Sequence, residues 1–194
     1  GGEGYGTNLL AAKAEKVTGI DINRPVIEKA RKKYLSSKIE FESGSITNIP
    51  SASGTFDIIT CFETLEHTEE HETALQEMKR VLKPGGILII STPDKANYAD
   101  KTGYKNPYHK KELYSEEFKT LVKQFFAFTF FCNQGSVSGS LIQSGQTEEI
   151  RSVFSGKYEH IKEGLSIQPL YWLAYASDKS FDPPVTSLFY HPAN

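Results

Sequence analysis

The feature that most limits how this chain can fold is a glycine loop at its start, followed closely by a short strand that ends in a carboxylate. Gly-Gly-Glu-Gly-Tyr-Gly occupies residues 1–6, and Val17-Thr18-Gly19-Ile20-Asp21 comes next. Glycines at alternate positions let the backbone turn tightly enough for another group to rest on it. A carboxylate at the end of the following strand is placed to accept hydrogen bonds from ribose hydroxyls. Together they predict a parallel α/β fold that holds a nucleoside at its strand ends. No strand precedes the loop in the 194 residues. The sequence therefore reads as one domain over 1–194 that is N-terminally incomplete, with its first strand missing.

Periodicity extends this reading along the chain. Leu9, Leu10 and Ala14 recur at helical spacing after the loop. Val26, Ile27, Ala30 and Tyr34 do so after Pro25, which suits the first turn of a helix because that turn needs no proline N–H. Ile39 to Glu42 reads as a strand. Phe56 to Phe62 is a nearly continuous apolar run, the pattern of a parallel strand covered on both faces. Ala74, Leu75, Met78, Val81 and Leu82 mark a helix that should stop at Lys83-Pro84-Gly85-Gly86. Gly86 to Thr92 is the clearest buried strand, and Pro93 ends it. Residues 94–114 have no period. Ser115 is placed to cap a helix with Glu116 and Glu117 in its first turn and Phe118, Leu121, Val122 and Phe125 on its apolar face. Ala127 to Cys132 and Leu170 to Ala176 read as strands, with a short helix near 147–155 between them. Phe125, Phe126, Phe128, Phe130 and Phe131 read as core. Alternation of this kind implies a sheet with helices on both faces and a ligand beyond the carboxyl ends of the strands.

Composition narrows the function classes. A net charge of −2 argues against a general nucleic-acid binder, which is usually basic. No apolar run approaches the roughly 20 residues that span a bilayer. Cys61 and Cys132 lie in apolar runs and read as reduced, buried thiols, pointing to the cytoplasm. The oligomeric state is not legible.

Three further motifs separate a methyl donor from a nicotinamide. Gly44-Ser45-Ile46-Thr47-Asn48-Ile49-Pro50 follows the third strand segment. Phe56-Asp57-Ile58-Ile59 leads into Phe62-Glu63-Thr64-Leu65-Glu66-His67. Val81-Leu82-Lys83-Pro84-Gly85-Gly86 precedes the strand after that. Over about residues 1–133 the chain resembles the class I S-adenosylmethionine-dependent methyltransferases. The resemblance implies a Rossmann-like, doubly wound, mostly parallel seven-stranded sheet with its last strand antiparallel, and S-adenosyl-L-methionine as cofactor. It implies that Gly2, Gly4 and Gly6, with Tyr5 between them, line the methionine part. Asp21 would hold the ribose, with Ile22 beside it, Ser45 and Ile46 would flank the adenine, and Phe62 and Glu63 would lie near the methionine end. Family members often carry Asp where Ser45 stands, which shifts adenine recognition toward the Ile46 backbone. A closer resemblance is to methyltransferases found beside glycosyltransferases in bacterial surface-polysaccharide gene sets. It rests on Phe62–His67, on Asn106-Pro107-Tyr108-His109 with Tyr114-Ser115-Glu116-Glu117-Phe118, and on Tyr171–Ala176.

A sugar or phenol hydroxyl must lose a proton as it attacks a methyl group, and a histidine or carboxylate can assist. His67, His109 and Glu63 are the catalytic candidates. Each competes with a plain structural role, as does Glu66, which can serve as a polar group at a helix start. Glu63, Glu66, His67 and His71 mix carboxylate and imidazole donors, but Glu69, Glu70 and Glu72 surround them with solvated charge, and no metal is assigned. Lys105, Lys110 and Lys111 beside Tyr104 and Tyr108 form a solvated loop or meet an anionic or glycan substrate. The function expected is O-methylation of a small-molecule or glycan hydroxyl. The alternatives are methylation of a quinone precursor or lipid, a nicotinamide-dependent oxidoreductase, or a non-catalytic binding module.

Overall fold

The computed structural model describes residues 3–137, 154–157, 160–164 and 167–185. The elements in chain order are α1 (Tyr5–Ala11), β1 (Val17–Asp21), α2 (Arg24–Lys33), β2 (Ile39–Ser43) and β3 (Phe56–Cys61). There follow a 3₁₀ turn (Leu65–His67), α3 (His71–Val81), β4 (Leu82–Pro93), a π turn (Ala96–Asp100) and α4 (Ser115–Phe125). Strands β5 (Phe128–Gln134), β6 (Phe154–Lys157), β7 (His160–Glu163) and β8 (Tyr171–Ser177) complete the series.

The strands form three sheets rather than the single seven-stranded one expected. β1 and β2 pair in parallel, β6 and β7 pair antiparallel, and four strands run in the order β3-β4-β8-β5. β3 and β4 are parallel, while β8 is antiparallel to both of its neighbours. One late strand is thus reversed, as expected. Among the described residues the β1–β2 pair exchanges no ladder bonds with the four-stranded sheet.

Two apolar clusters hold the layers. Leu65, Leu75, Met78, Leu88, Ile90, Phe118, Val122 and Ala174 are fully buried where α3 and α4 pack on the four-stranded sheet. Ile27, Ala30 and Phe41 form the smaller cluster between α2 and the β1–β2 pair. Ile20 and Ile46 pack against the larger cluster and so tie the two-stranded sheet to it. The loop after β2 is also fastened to α3. The Ile49 N–H donates to the Glu77 carboxylate at 2.9 Å, and Arg80 donates to the carbonyls of Ser51 and Ile49 at 2.8 and 3.0 Å.

Several local expectations change. β3 is not covered on both faces: Ile58 is 58% exposed, because no layer covers that side of an edge strand among the described residues. The predicted break at residues 83–86 is a bulge within β4, with Phe56 opposite Leu82 but Ile58 opposite Ile87. Gly85 takes φ 83° there, a backbone region glycine enters without strain. Ser115 is the first helical residue of α4, not its cap; Tyr114 occupies the cap position and its N–H donates to Glu117 at 2.9 Å. The helix expected at 147–155 falls mostly outside the described residues, and residues 154–157 are strand. The phenylalanines divide between core and surface. Phe126 is buried and Phe131 meets Phe118 edge-on at 6.2 Å, whereas Phe128 and Phe130 face outward, 45% and 37% exposed.

This division has a measurable consequence. Phe118→Ala should cost about 3–5 kcal/mol of unfolding free energy in urea, and Phe128→Ala under about 1 kcal/mol. Similar costs for both would contradict the layering.

Candidate functional site

Polar side chains gather beyond the carboxyl ends of β3 and β4. β3 ends at Cys61, a free and buried thiol whose pKa burial pushes up to about 12, so it stays protonated and serves packing. Two residues on, Glu63 has φ 48°, the one non-glycine residue with positive φ among the described residues. Such a backbone costs on the order of 1–3 kcal/mol unless its surroundings hold it. Ser91, near the end of β4, does so: its hydroxyl donates to Glu63 Oε1 at 2.6 Å and accepts the Glu63 N–H at 3.2 Å. Burial pushes the Glu63 carboxyl above its ordinary value, against the opposing pull of the Ser91 hydrogen bond and of the His109 and His67 imidazoles.

The 3₁₀ turn follows directly. Leu65 is fully buried and pins it, which carries the adjacent Glu66 side chain inward to 1% exposure. Burial, with some help from the charges of Glu63 and Glu112, pushes the Glu66 carboxyl up to about 7, although its own backbone N–H pulls the other way. Its Oε2 meets no hydrogen-bond partner among the described residues. The Glu66 carbonyl accepts the N–H groups of Lys110 at 2.8 Å and Lys111 at 3.2 Å. These two bonds dock the loop after β4 onto the turn and bring His109 against His67, with ring centroids 5.1 Å apart in an edge-to-face arrangement.

Both imidazoles have a fixed tautomer. His67 Nδ1 lies 2.9 Å from the Tyr108 carbonyl oxygen, which can only accept, so Nδ1 carries the proton and Nε2 keeps its lone pair. His109 Nδ1 donates to the Glu112 carboxylate at 2.5 Å, and its Nε2 accepts from the Asn106 amide at 3.0 Å. The Asn106 amide is oriented by its oxygen, which accepts the Tyr108 N–H. Each Nε2 lies 3.9 Å from Glu66 Oε1. The His67 side chain is 42% exposed, whereas those of His109 and Glu112 are nearly enclosed. Tyr98 stacks on His109 at 5.7 Å and packs against Tyr171.

The structure therefore unites His67, His109 and Glu63 and adds Glu66 to them. It also adds Ser91, Tyr98, Glu112 and Tyr171. Ser91 carries one sequence signal, a hydroxyl near the end of an otherwise apolar strand. Glu112 and Tyr98 lie in the aperiodic loop and carry none. His71 does not join: it starts α3, is buried, and has its pKa drawn down by burial and by Lys111. His160 is an exposed strand residue, and His191 lies outside the described residues. Lys110 and Lys111 contribute backbone, as docking donors.

The residues expected to meet a cofactor lie mainly at the ends of β1, β2 and β3. Gly2 is outside the described residues. Gly4 has φ 85°, and a Cβ there would come within 2.8 Å of the Phe41 ring, so its glycine requirement comes from packing inside the protein. A Cβ on Gly6 would meet nothing within 4 Å. Asp21 ends β1 and accepts the Asn23 N–H at 2.8 Å. Burial acts upward on its carboxyl and the Asn23 N–H acts downward. Tyr5, Ile22 and Phe62 are exposed. Ser45 is engaged locally, sharing a hydrogen bond with the Thr47 hydroxyl at 2.8 Å and accepting the Thr47 N–H, while Ile46 is partly buried.

Known proteins resemble this chain in sequence and fold. The methyltransferase-domain family model matches residues 1–90. A probable S-adenosylmethionine-dependent methyltransferase of Mycolicibacterium smegmatis is 29% identical over 123 residues, 63% of this chain and 47% of that protein. Over its first 90 residues the chain is thus similar to S-adenosylmethionine-dependent methyltransferases. The ubiquinone biosynthesis O-methyltransferase of Colwellia psychrerythraea is 33% identical to the chain over 98 residues, 49% of this chain and 40% of that protein. A solved S-adenosylmethionine-dependent methyltransferase of Thermotoga maritima matches with TM-score 0.63 and 21% identity over 92% of this chain and 78% of that one, which shows the Rossmann-like α/β fold. The chain spans about half the length of the curated relatives it matches.

The cofactor that this similarity implies is S-adenosylmethionine. The residues present fit it: Asp21 offers a carboxylate acceptor for ribose hydroxyls at the end of β1, the missing Cβ of Gly6 leaves open volume, and Ile22 and Phe62 present exposed apolar surface. Among the described residues no helix is long and apolar enough to cross a membrane.

Because Ser91 both steadies the unusual Glu63 backbone and lowers its pKa, Ser91→Ala should cost about 1–3 kcal/mol. It should also move the Glu63 titration further upward, read by carbon-detected NMR of the side-chain carboxyl. An unmoved titration would show that Ser91 does not govern this carboxylate.

Proposed function

We propose that the protein transfers a methyl group from S-adenosylmethionine to a hydroxyl oxygen of a small molecule or glycan. The supporting observation is the state of His67: Nδ1–H is held by the Tyr108 carbonyl, and the Nε2 lone pair sits on an exposed imidazole just beyond β3. S-adenosylmethionine supplies an activated methyl group on a sulfonium. What remains for the chain is to align the acceptor, which can contribute roughly 7–11 kcal/mol, and to remove the hydroxyl proton. His67 Nε2 accepts that proton, with the Glu66 carboxyl 3.9 Å away to favour the imidazolium. His109, enclosed and bonded on both ring nitrogens, acts as a wall and orienting group. Glu63 borders the same space and is steered by Ser91.

The acceptor class follows from the closer resemblance to methyltransferases encoded beside surface-polysaccharide glycosyltransferases, which favours a sugar hydroxyl and a cytoplasmic enzyme. The exposed Tyr108, with Lys110 and Lys111 nearby in sequence, suits a polar, glycan-sized substrate. A phenolic acceptor is the second reading, supported by the 33% identity to a ubiquinone biosynthesis O-methyltransferase.

Calorimetry with S-adenosylhomocysteine tests the cofactor assignment. Asp21→Ala should weaken binding at least tenfold; no binding by the parent protein at millimolar ligand would refute the reading. For the base, single-turnover methyl transfer with cofactor saturating should slow by about 10²–10⁴ in His67→Ala. A loss below tenfold would remove His67 from that role.

A further inference from the structure

Glu66, His67 and His109 face one another with one ligand atom each, and all three atoms lie within 4.8 Å of one another. We propose that these residues bind one divalent transition-metal cation of the manganese-to-zinc series, through a Glu66 carboxylate oxygen, His67 Nε2 and His109 Nε2. Two imidazoles and one carboxylate are a donor set for such ions and a poor one for calcium or magnesium, which prefer oxygen alone.

Four observations carry this beyond mere proximity. Glu66 is nine-tenths buried and more, and its Oε2 has no hydrogen-bond partner among the described residues. A buried, unpaired carboxylate oxygen is costly unless something satisfies it. Next, both imidazoles carry their proton on Nδ1, donated to the Tyr108 carbonyl by one and to the Glu112 carboxylate by the other. A metal-binding histidine uses the same arrangement: the far nitrogen is anchored to a carbonyl or carboxylate, and the near one presents its lone pair. Third, Glu63 and Glu112 both act on Glu66 as like charges. A cation would relieve that repulsion. Finally, His67 is open to solvent, which gives an ion a way in.

The geometry is near what coordination needs. Atoms sharing an ion at about 2.0–2.1 Å lie roughly 3–3.4 Å apart, and both Glu66–His separations are 3.9 Å. Side-chain shifts of under about 1 Å close the difference. The Asn106 amide, now on His109 Nε2, must turn away as the ion enters. Three protein ligands leave further positions for water or for an acceptor oxygen. Ion binding engages the His67 lone pair, so proton acceptance by His67 belongs to the ion-free protein and added ion is expected to compete with it. The inference rests on the cluster itself and holds whichever acceptor is methylated.

The test is titration of chelator-treated protein with Co²⁺, followed by d–d absorption, and with Zn²⁺ by calorimetry. One site per chain is expected. His67→Ala and His109→Ala should each weaken it at least tenfold, and Glu112→Gln, which leaves the ligands in place, by about 10–100-fold. Glu72→Gln, an exposed neighbouring carboxylate, should leave the affinity unchanged. Circular dichroism verifies that each variant is folded; His67, being exposed, keeps the test valid if the His109 variant unfolds. No Co²⁺ absorption at submillimolar ion, or equal affinity in folded His67→Ala, would overturn the proposal. S-adenosylhomocysteine is titrated separately, so failure of the cation site with intact nucleoside binding, or the reverse, distinguishes this inference from the methyltransferase reading.

Discussion

The site depends on the two hydrogen bonds by which Lys110 and Lys111 close onto the Glu66 carbonyl. Leu65, fully buried, fixes the turn on one side of that contact, and Leu113, buried just beyond it, fixes the loop on the other. Between these apolar anchors the backbone has little freedom, so the side chains of Glu66, His67 and His109 meet without being attracted to one another. Burial of a carboxylate among carboxylates is unfavourable by itself. It persists here because the leucines beside it gain more from burial than Glu66 loses.

Strain and charge are concentrated in the same few residues. Glu63 adopts a left-handed backbone and is held by Ser91. Glu66 is enclosed and partly unpaired. Both carboxyls have their proton affinity raised by burial. Groups perturbed in this way cluster at functional sites because reactivity and ligand capture need what stability would avoid. At the ends of β1 and β2 the opposite holds: Asp21 is supported by the Asn23 N–H, and Gly4 packs against Phe41.

The helices and most strands could be read from periodicity because their spacing is local. The glycine loop, Asp21 and the run Glu63–His67 were legible for the same reason: each is a short stretch whose residue types match a chemistry. Cores decided by packing were less legible. The outward faces of Phe128 and Phe130 depend on what lies over β5, which alternation alone cannot say. The edge position of β3 likewise exposes Ile58, although its sequence reads as fully covered.

The sequence by itself determined the α/β order and the likeness to methyltransferases, since these reside in contiguous residues and their spacing. Only tertiary structure decided that His109, rather than His71, stands beside His67, and that Glu112 and Ser91 orient the groups around them. His71 is nearer in sequence, but the first turn of α3 carries it into another buried environment. His109 arrives from a loop with no pattern of its own, through backbone hydrogen bonds that any side chains could have made.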